Sequence, residues 1–311
     1  MDAFADLLRG INADASLIGQ EILDPPFSVE FADGAPLTLA FPLRGGGWIS
    51  TDDSDARWLA PGDTAVVRGP RPYRFTDDLH TSALAAPRTL YCANTPTTRV
   101  LGPRTCGDTL DGPTALVVAE FEIRGHIGAR LLDALPPLLT IPCDDDGDHI
   151  LDFIAGEVVA DKPGQQIVLE RLLDWLLVCT LRAWFDTAEA NAPAWYTAIA
   201  DPIAGPALRA MHDAPEYAWT VASLASEAGV SRATFAKRFT ELLNEPPLTY
   251  LTRWRMTLAA DLLAEPGASV SSVAHRVGYA DPFGFSAAYK RVRGRAPSAD
   301  RPGVATQLAS A

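Results

Sequence analysis

Between Trp219 and Arg291 the chain runs through one pattern twice, and this repetition limits what its last third can fold into. The first copy spans Trp219 to Phe239 and the second Ser269 to Arg291. Each holds apolar residues at helical spacing, a turn glycine, a polar residue suited to cap a helix, and an aromatic pair four residues apart. Val221, Leu224, Ala225 and Ala228 give the first helix one apolar face, because residues three and four apart share a side of a helix. Gly229 accepts positive φ without a steric penalty and reverses the chain in few residues. Ser231 then serves as N-cap for a helix that begins at Arg232. On that helix Phe235, Phe239 and Leu242 point inward, and Ala233, Ala236, Lys237 and Thr240 share the opposite stripe. In the second copy Val273, Ala274 and Val277 form the inner face and Gly278 the turn. Asp281 is the cap there, with Pro282 at the first helical position. Phe285, Tyr289 and Val292 point inward, while Gly284, Ala287, Lys290 and Arg291 lie mainly outward.

One such hairpin is a loose pattern that can equally be part of a helical bundle. Two in tandem say more, and a third feature lies between them. From Pro247 the residues Leu251, Trp254, Leu258 and Leu262 form a helical stripe, so one rigid helix is expected to join the hairpins. A helix held by its inner face, with small and basic residues outside, suits a major groove about 12 Å wide. These residues resemble the AraC/XylS-type transcription regulators. The shared runs are Gly229-Val-Ser231, Tyr250-Leu-Thr-Arg-Trp-Arg-Met256, Val273-Ala-His-Arg-Val-Gly-Tyr279 and Gly294-x-x-Pro297. The resemblance implies a DNA-binding domain of two helix-turn-helix units on a linking helix. It implies Ser231, Arg232, Ala233, Thr234, Ala236, Lys237, Arg238 and Thr240 at the DNA from the first unit. From the second it implies Asp281, Gly284, Ser286, Ala287, Lys290 and Arg291. Of these, Arg232, Ala233, Ala236 and Lys237 face base edges, and Thr234, Arg238 and Thr240 lie nearer phosphates. Three positions depart from the family: Asn244 replaces its usual glycine, Ala287 a frequent basic residue, and Arg293 an apolar one. The second helix is therefore expected to hold the backbone through Lys290 and Arg291 more than to read bases.

Charge supports an uneven chain. The net charge of −13 argues alone against a nucleic-acid binder. Residues 201–303, however, carry 12 Lys and Arg against 10 Asp and Glu, and residues 1–200 carry 14 against 29. An acidic region precedes a weakly basic one, and local charge on the recognition faces matters more than the total. No basic leader opens the sequence and no apolar run reaches the roughly 18 residues of a membrane helix. The four cysteines lack CxxC spacing, so a cytoplasmic protein with reduced thiols and no membrane partner is expected.

The first 145 residues have a different texture. Phe4, Leu7, Leu8 and Ile11 fall at helical spacing, and short β-rich runs broken by turn residues follow to Phe121. Such spacing suggests an antiparallel barrel or sandwich. Pro61-Gly-Asp63, a strand, and Gly69-Pro-Arg-Pro-Tyr-Arg-Phe75 resemble a run of cupin barrels, and that domain commonly precedes the DNA-binding part in AraC-type regulators. The chain is thus expected to be α+β with two domains: a metal-free, cupin-like antiparallel β-barrel with a helical linker, then an all-α tandem helix-turn-helix domain. Expected boundaries are 1–145 for the sensor, 146–204 for a helical dimerisation segment, 205–303 for DNA binding and 304–311 for a tail. Only five histidines occur and none precedes His80, too few for a cupin metal triad, so no cofactor and no enzymatic activity are expected.

The barrel is then a sensor, a dimerisation shell, or both. Trp48, Trp58, Tyr73 and Phe75 are candidates to line an effector pocket, with Arg44, Arg57 or Arg74 facing an anionic small molecule. The alternative is that the aromatics are core and the arginines solvated. Cys92 and Cys106, the latter near Arg104, are candidates for a redox switch, because nearby cations lower a thiol's pKa. Residues 150–159 and 166–185 read as helices, and Leu169, Leu172, Leu173, Leu176, Leu177 and Leu181 suggest a homodimer interface. The sequence thus predicts an effector-controlled regulator of double-stranded DNA. The sequence does not distinguish an activator from a repressor; an activator would have RNA polymerase as a partner. A thiol-switched regulator and a cupin enzyme with an accessory helical domain are the alternatives.

Overall fold

The computed structural model describes residues 3–8, 10–80, 88–90, 99–142, 148–187 and 192–301. Cys92, residues 144–147 of the acidic run and the expected tail lie outside them. The chain divides into two compact units, one within Ile11–Ile123 and Leu132–Asn191, the other within Met1–Gly10, Arg124–Leu131 and Ala192–Ala311.

The first unit is built on two sheets. Its strands are β1 (Ile11–Leu23), β2 (Ser28–Phe31), β3 (Leu37–Arg44), β4 (Gly47–Thr51), β5 (Ser54–Leu59), β6 (Thr64–Arg68), β7 (Tyr73–Thr76), β8 (Arg88–Leu90), β9 (Val100–Gly102), β10 (Thr105–Gly107), β11 (Thr114–Ile123) and β12 (Leu138–Ile141). One sheet has the order β12-β6-β3-β11-β1-β10-β9, the other β5-β4-β7-β2-β8. The expected closed antiparallel barrel is corrected here. The sheets are separate and mixed, with parallel pairings of β1 to β10 and of β2 to β8. Val29, Phe31, Ile49 and Phe75 from one sheet share a core with Ala40, Val67, Leu116 and Val118 from the other. The Pro61-Gly-Asp63 run is a tight turn: Gly62 has φ 91° and the Asp63 carboxylate accepts the Ala60 amide at 2.9 Å. The residues that suggested a helix up to Ile11 divide between helix α1 (Ala3–Leu8) and the long strand β1, which the sequence did not announce.

The remaining helices are α2 (Gly125–Leu132), α3 (Asp148–Val159), α4 (Gln165–Phe185), α5 (Ala194–Ile199), α6 (Ala204–Asp213), α7 (Val221–Glu227), α8 (Arg232–Leu243), α9 (Pro247–Ala264), α10 (Val270–Arg276) and α11 (Pro282–Arg293). Helices α3 and α4 belong to the sheet unit. There Leu169, Leu173, Leu177 and Leu181 of α4 are buried, and the helix packs on β1 and β12.

The helical unit takes α1 and most of α2, so the expected boundary at residue 145 does not follow the compact units. In this unit Phe4 stacks on Trp195 at 6.1 Å. His212 lies between Asp6 (2.7 Å from Nδ1) and the Tyr250 hydroxyl (2.8 Å from Nε2), and it stacks on Trp254 at 4.2 Å. Two apolar cores serve the two hairpins. Leu224, Ala225, Phe235 and Phe239 close on Tyr250, Leu251 and Trp254 of α9, and Val273, Ala274, Phe285 and Tyr289 close on Met256, Ala259, Ala260 and Leu263 of the same helix. Helix α9 is therefore the rod that both hairpins share, as its stripe predicts.

Candidate nucleic-acid interface

Local hydrogen bonds set the helix ends of each hairpin. Thr220 caps α7 and Ser269 caps α10. In both, the serine three residues on returns the hydrogen bond to the cap's own amide: Ser223 Oγ at 2.9 Å and Ser272 Oγ at 3.4 Å. This reciprocal box satisfies amides that a helix start leaves unpaired. Ser231 accepts the Thr234 amide at 3.2 Å and Asp281 accepts the Gly284 amide at 2.7 Å, which sets where α8 and α11 begin. Asn244 and Gly294 end them in the left-handed conformation, with φ 56° and 76°. Asparagine thus fills the role of the family's glycine.

The outer faces come out as the spacing predicts. Ser231, Arg232, Ala233, Thr234, Lys237, Arg238 and Thr240 are exposed and Ala236 is half-buried, while Phe235 and Phe239 are buried. Asp281, Gly284, Ala287, Lys290 and Arg291 are exposed and Ser286 is half-buried, above the buried Phe285 and Tyr289. Two of these outer-face cations have partners within the unit. The Arg238 guanidinium donates to Asp201 at 2.9 and 2.6 Å, and Asp201 also accepts the amides of Ile203 and Ala204 at the start of α6. Burial alone would raise the Asp201 pKa, but the bonds from Ala204, Arg238 and Ile203 hold it below the usual aspartate value. Arg238 thus ties α8 to the start of α6. Lys237 sits 3.9 Å from Glu241, and both are well exposed, so this pair opens readily.

Two residues escaped sequence reasoning. Arg255 on α9 donates to the carbonyls of Pro215 (2.6 Å) and Tyr217 (2.7 Å), and its guanidinium lies over the Tyr279 ring. It ties the approach to the first hairpin to the turn of the second, and only the shared family run around it hinted at a role. Phe283, the second residue of α11, is 85% exposed. Its signal was a large apolar residue on the polar stripe, four residues before Ala287.

In the sheet unit the predicted effector residues are not gathered in one place. Neighbours along a strand point to opposite faces. Trp48 pairs with Trp58 and Thr76, whereas Tyr73 and Phe75 project from the other face. Trp48 and Trp58 meet edge to face at 5.6 Å, with Trp58 exposed, and Arg57 is exposed on the edge strand β5. Tyr73 instead stacks on Phe31 at 4.7 Å and lines a small open cleft with Asp33, Arg71 and Glu120. Two of the arginines do structural work: Arg44 donates to the carbonyls of Gly112 and Leu110, both at 2.9 Å, and Arg74 pairs with Glu30 at 2.9 Å. Cys106 lies on β10 and is half-buried. Burial and then Glu21 push its thiol up, and Arg104 donates to Gln166 at 3.1 and 2.9 Å. Among the described residues no group of three or more His, Cys, Asp or Glu is placed to hold a metal.

Comparison with known proteins agrees with both halves. Residues 2–186 match the family model described as a cupin, and residues 224–302 match one described as a helix-turn-helix domain. A putative AraC-like transcription regulator of Streptomyces antibioticus is 31% identical over 96% of this chain and 97% of its own length. The HTH-type transcriptional regulator AlkR of Acinetobacter baylyi is 35% identical over 55% of this chain and 59% of its own. The RCS-specific HTH-type transcriptional activator RclR of Escherichia coli is 30% identical over 59% and 66%. With its two capped hairpins on one rod and its relatives along nearly the whole length, the chain belongs to the AraC-like transcription regulators, DNA-binding proteins in which a cupin domain precedes the helix-turn-helix domain.

Proposed function

We propose that this regulator sets α8 and α11 in consecutive major-groove segments of one duplex, roughly 34 Å apart, and reads sequence chiefly through the first. The observation that carries the reading is the pair of outward stripes, small and basic, each held by a buried aromatic pair against the shared rod. Lys237 is assigned to base readout, because a lysine can bond guanine O6 and N7. The test is selection of bound sites from random duplexes, followed by footprinting. Two protected segments one helical turn apart are expected, and protection of a single segment overturns the two-groove reading. Lys237→Ala should cost about 1–3 kcal/mol and relax preference at one base position. An equal loss on all DNA places Lys237 at the backbone.

Control is assigned to a small molecule bound by the sheet unit. The half-exposed Trp48 and Trp58 pair is the place that supports it; the cleft beside Tyr73, on the opposite face of that sheet, is about the size of one water. The thiol-switched alternative has less support, since the Cys106 thiol is pushed up and a lowered value is what reactivity requires. A homodimer is proposed through α3 and α4. Their leucines are spent inside the unit, but Phe153, Val159, Ile167 and Trp175 stay 51–62% exposed. Trp175→Arg should shift the protein towards monomer in light scattering, and an unchanged mass removes α4 from the interface.

A further inference from the structure

We infer that Phe283 reads thymine through its C5-methyl group in the major groove. This rests on the reading that α11 enters the groove. Helix α11 buries Phe285, Ala288 and Tyr289, and Phe283 lies on the opposite side at 85% exposure. It contributes almost nothing to the core, so packing does not account for a phenylalanine there. Its neighbours on the outer face are chosen for close approach: Gly284 has no side chain and Ala287, one turn on, ends at Cβ. Lys290 and Arg291 follow one turn later and supply the cations that hold a duplex against this face.

The rest of the stripe explains why a methyl group is the target. A guanine is read by donors and an adenine by an amide, and the first two turns of α11 offer neither. Ser286 donates its hydroxyl to the Pro282 carbonyl at 2.8 Å, and the Asp281 carboxylate is taken by the Gly284 amide at 2.7 Å. What remains is an apolar strip, Phe283 and Ala287. The thymine methyl is the apolar group that bases present in the major groove. Aligned by their N-caps, Ser231 and Asp281, the two helices place Phe283 where the first has Ala233, and Ala287 where the first has Lys237. The second helix therefore has its own means of reading bases, by shape and apolar contact.

The experiment uses the full chain and the duplex obtained by site selection. Each thymine in the segment assigned to α11 is replaced in turn by deoxyuridine, which removes only the methyl group, and affinities are measured by fluorescence anisotropy. At one or two positions wild type should weaken by about fourfold per methyl, the effect of about one buried carbon. Phe283→Ala, at a surface position, should melt like wild type and bind both duplexes equally, and Phe283→Leu should keep part of the difference. Wild type indifferent to every replacement overturns the inference, as does a Phe283→Ala protein that keeps the wild-type ratio. Lys290→Ala/Arg291→Ala separates the two levels of the argument. If it weakens binding while methyl removal has no effect, the inference alone fails. If neither matters, α11 does not meet this DNA and both readings fall.

Discussion

The two hairpins are built to one plan on the inside and to two plans on the outside. Inside, each has a capping box, a turn glycine and an aromatic pair against α9. Outside, the first shows Ala233, Lys237 and Glu241, and the second shows Phe283, Ala287 and Arg291 at the matching positions. The inner residues must fill a fixed space at crystal-like density, so few types fit. The outer residues touch only solvent or a partner, and surface exchanges cost little stability. Chemistry can diverge there while the frame stays put. The braces differ as well. Helix α8 is held by Arg238 on Asp201, while α11 is held through Tyr289, whose hydroxyl donates to Asp300, a carboxylate also paired with Arg295.

The hardest test of this shared frame is to break the rod on one side. Trp254 is 1% exposed and belongs to the first hairpin's core, with its ring on His212. Trp254→Ala should cost about 3–5 kcal/mol. Hydrogen exchange should show α7 and α8 losing protection before α10 and α11. Simultaneous loss in all four would mean that the two cores melt as one cooperative body and that the division between them has no energetic content.

The turn glycines sharpen the comparison at a smaller scale. Both sit at positive φ, 65° at Gly229 and 81° at Gly278. A Cβ at Gly229 would meet nothing within 4 Å, whereas at Gly278 it would fall 2.4 Å from the Glu216 carbonyl oxygen. Gly229→Ala therefore carries only the conformational cost, about 1–2 kcal/mol. Gly278→Ala adds a clash with backbone and should reach roughly 2–5 kcal/mol. Denaturant melts of the two variants should differ in that order, and equal midpoints would show that the chain around Glu216 yields freely.

How much of this was legible in the sequence follows from which physics is local. The caps at Ser231 and Asp281, the turn glycines, the aromatic pairs and the α9 stripe are set by residues within a turn or two of one another, and spacing alone reveals them; the boxes at Thr220 and Ser269 were not foreseen. Nor were the mixed sheets, since the partners of β1 and β2 include the distant β10 and β8, and period-two alternation does not reveal parallel pairing. The long strand β1 was hidden because its start continues the apolar spacing of α1. The effector quartet scattered for a related reason: aromatic content was visible, but which face each ring takes depends on register. The partners of Arg238 and Arg104 are hidden in the same way, as a charge count shows a cation but not the Asp201 or Gln166 that holds it.

The smallest expected effect concerns the brace that only the first hairpin has. The Asp201 pKa is lowered in the folded unit, so its contribution to stability is fully present above the ordinary aspartate value near 4 and is lost as pH falls through the lower, folded value. Asp201→Asn keeps a side-chain oxygen for the amides of Ile203 and Ala204 but gives up the charge that Arg238 meets. It should cost about 1–2 kcal/mol at neutral pH. The gap between wild type and variant should then close as the pH is taken down through that window. The second hairpin's amides should be indifferent to the substitution, because their brace lies at the other end of the rod. A gap that stays constant into acid would mean that Asp201 acts through shape alone and that the ion pair with Arg238 adds nothing to α8.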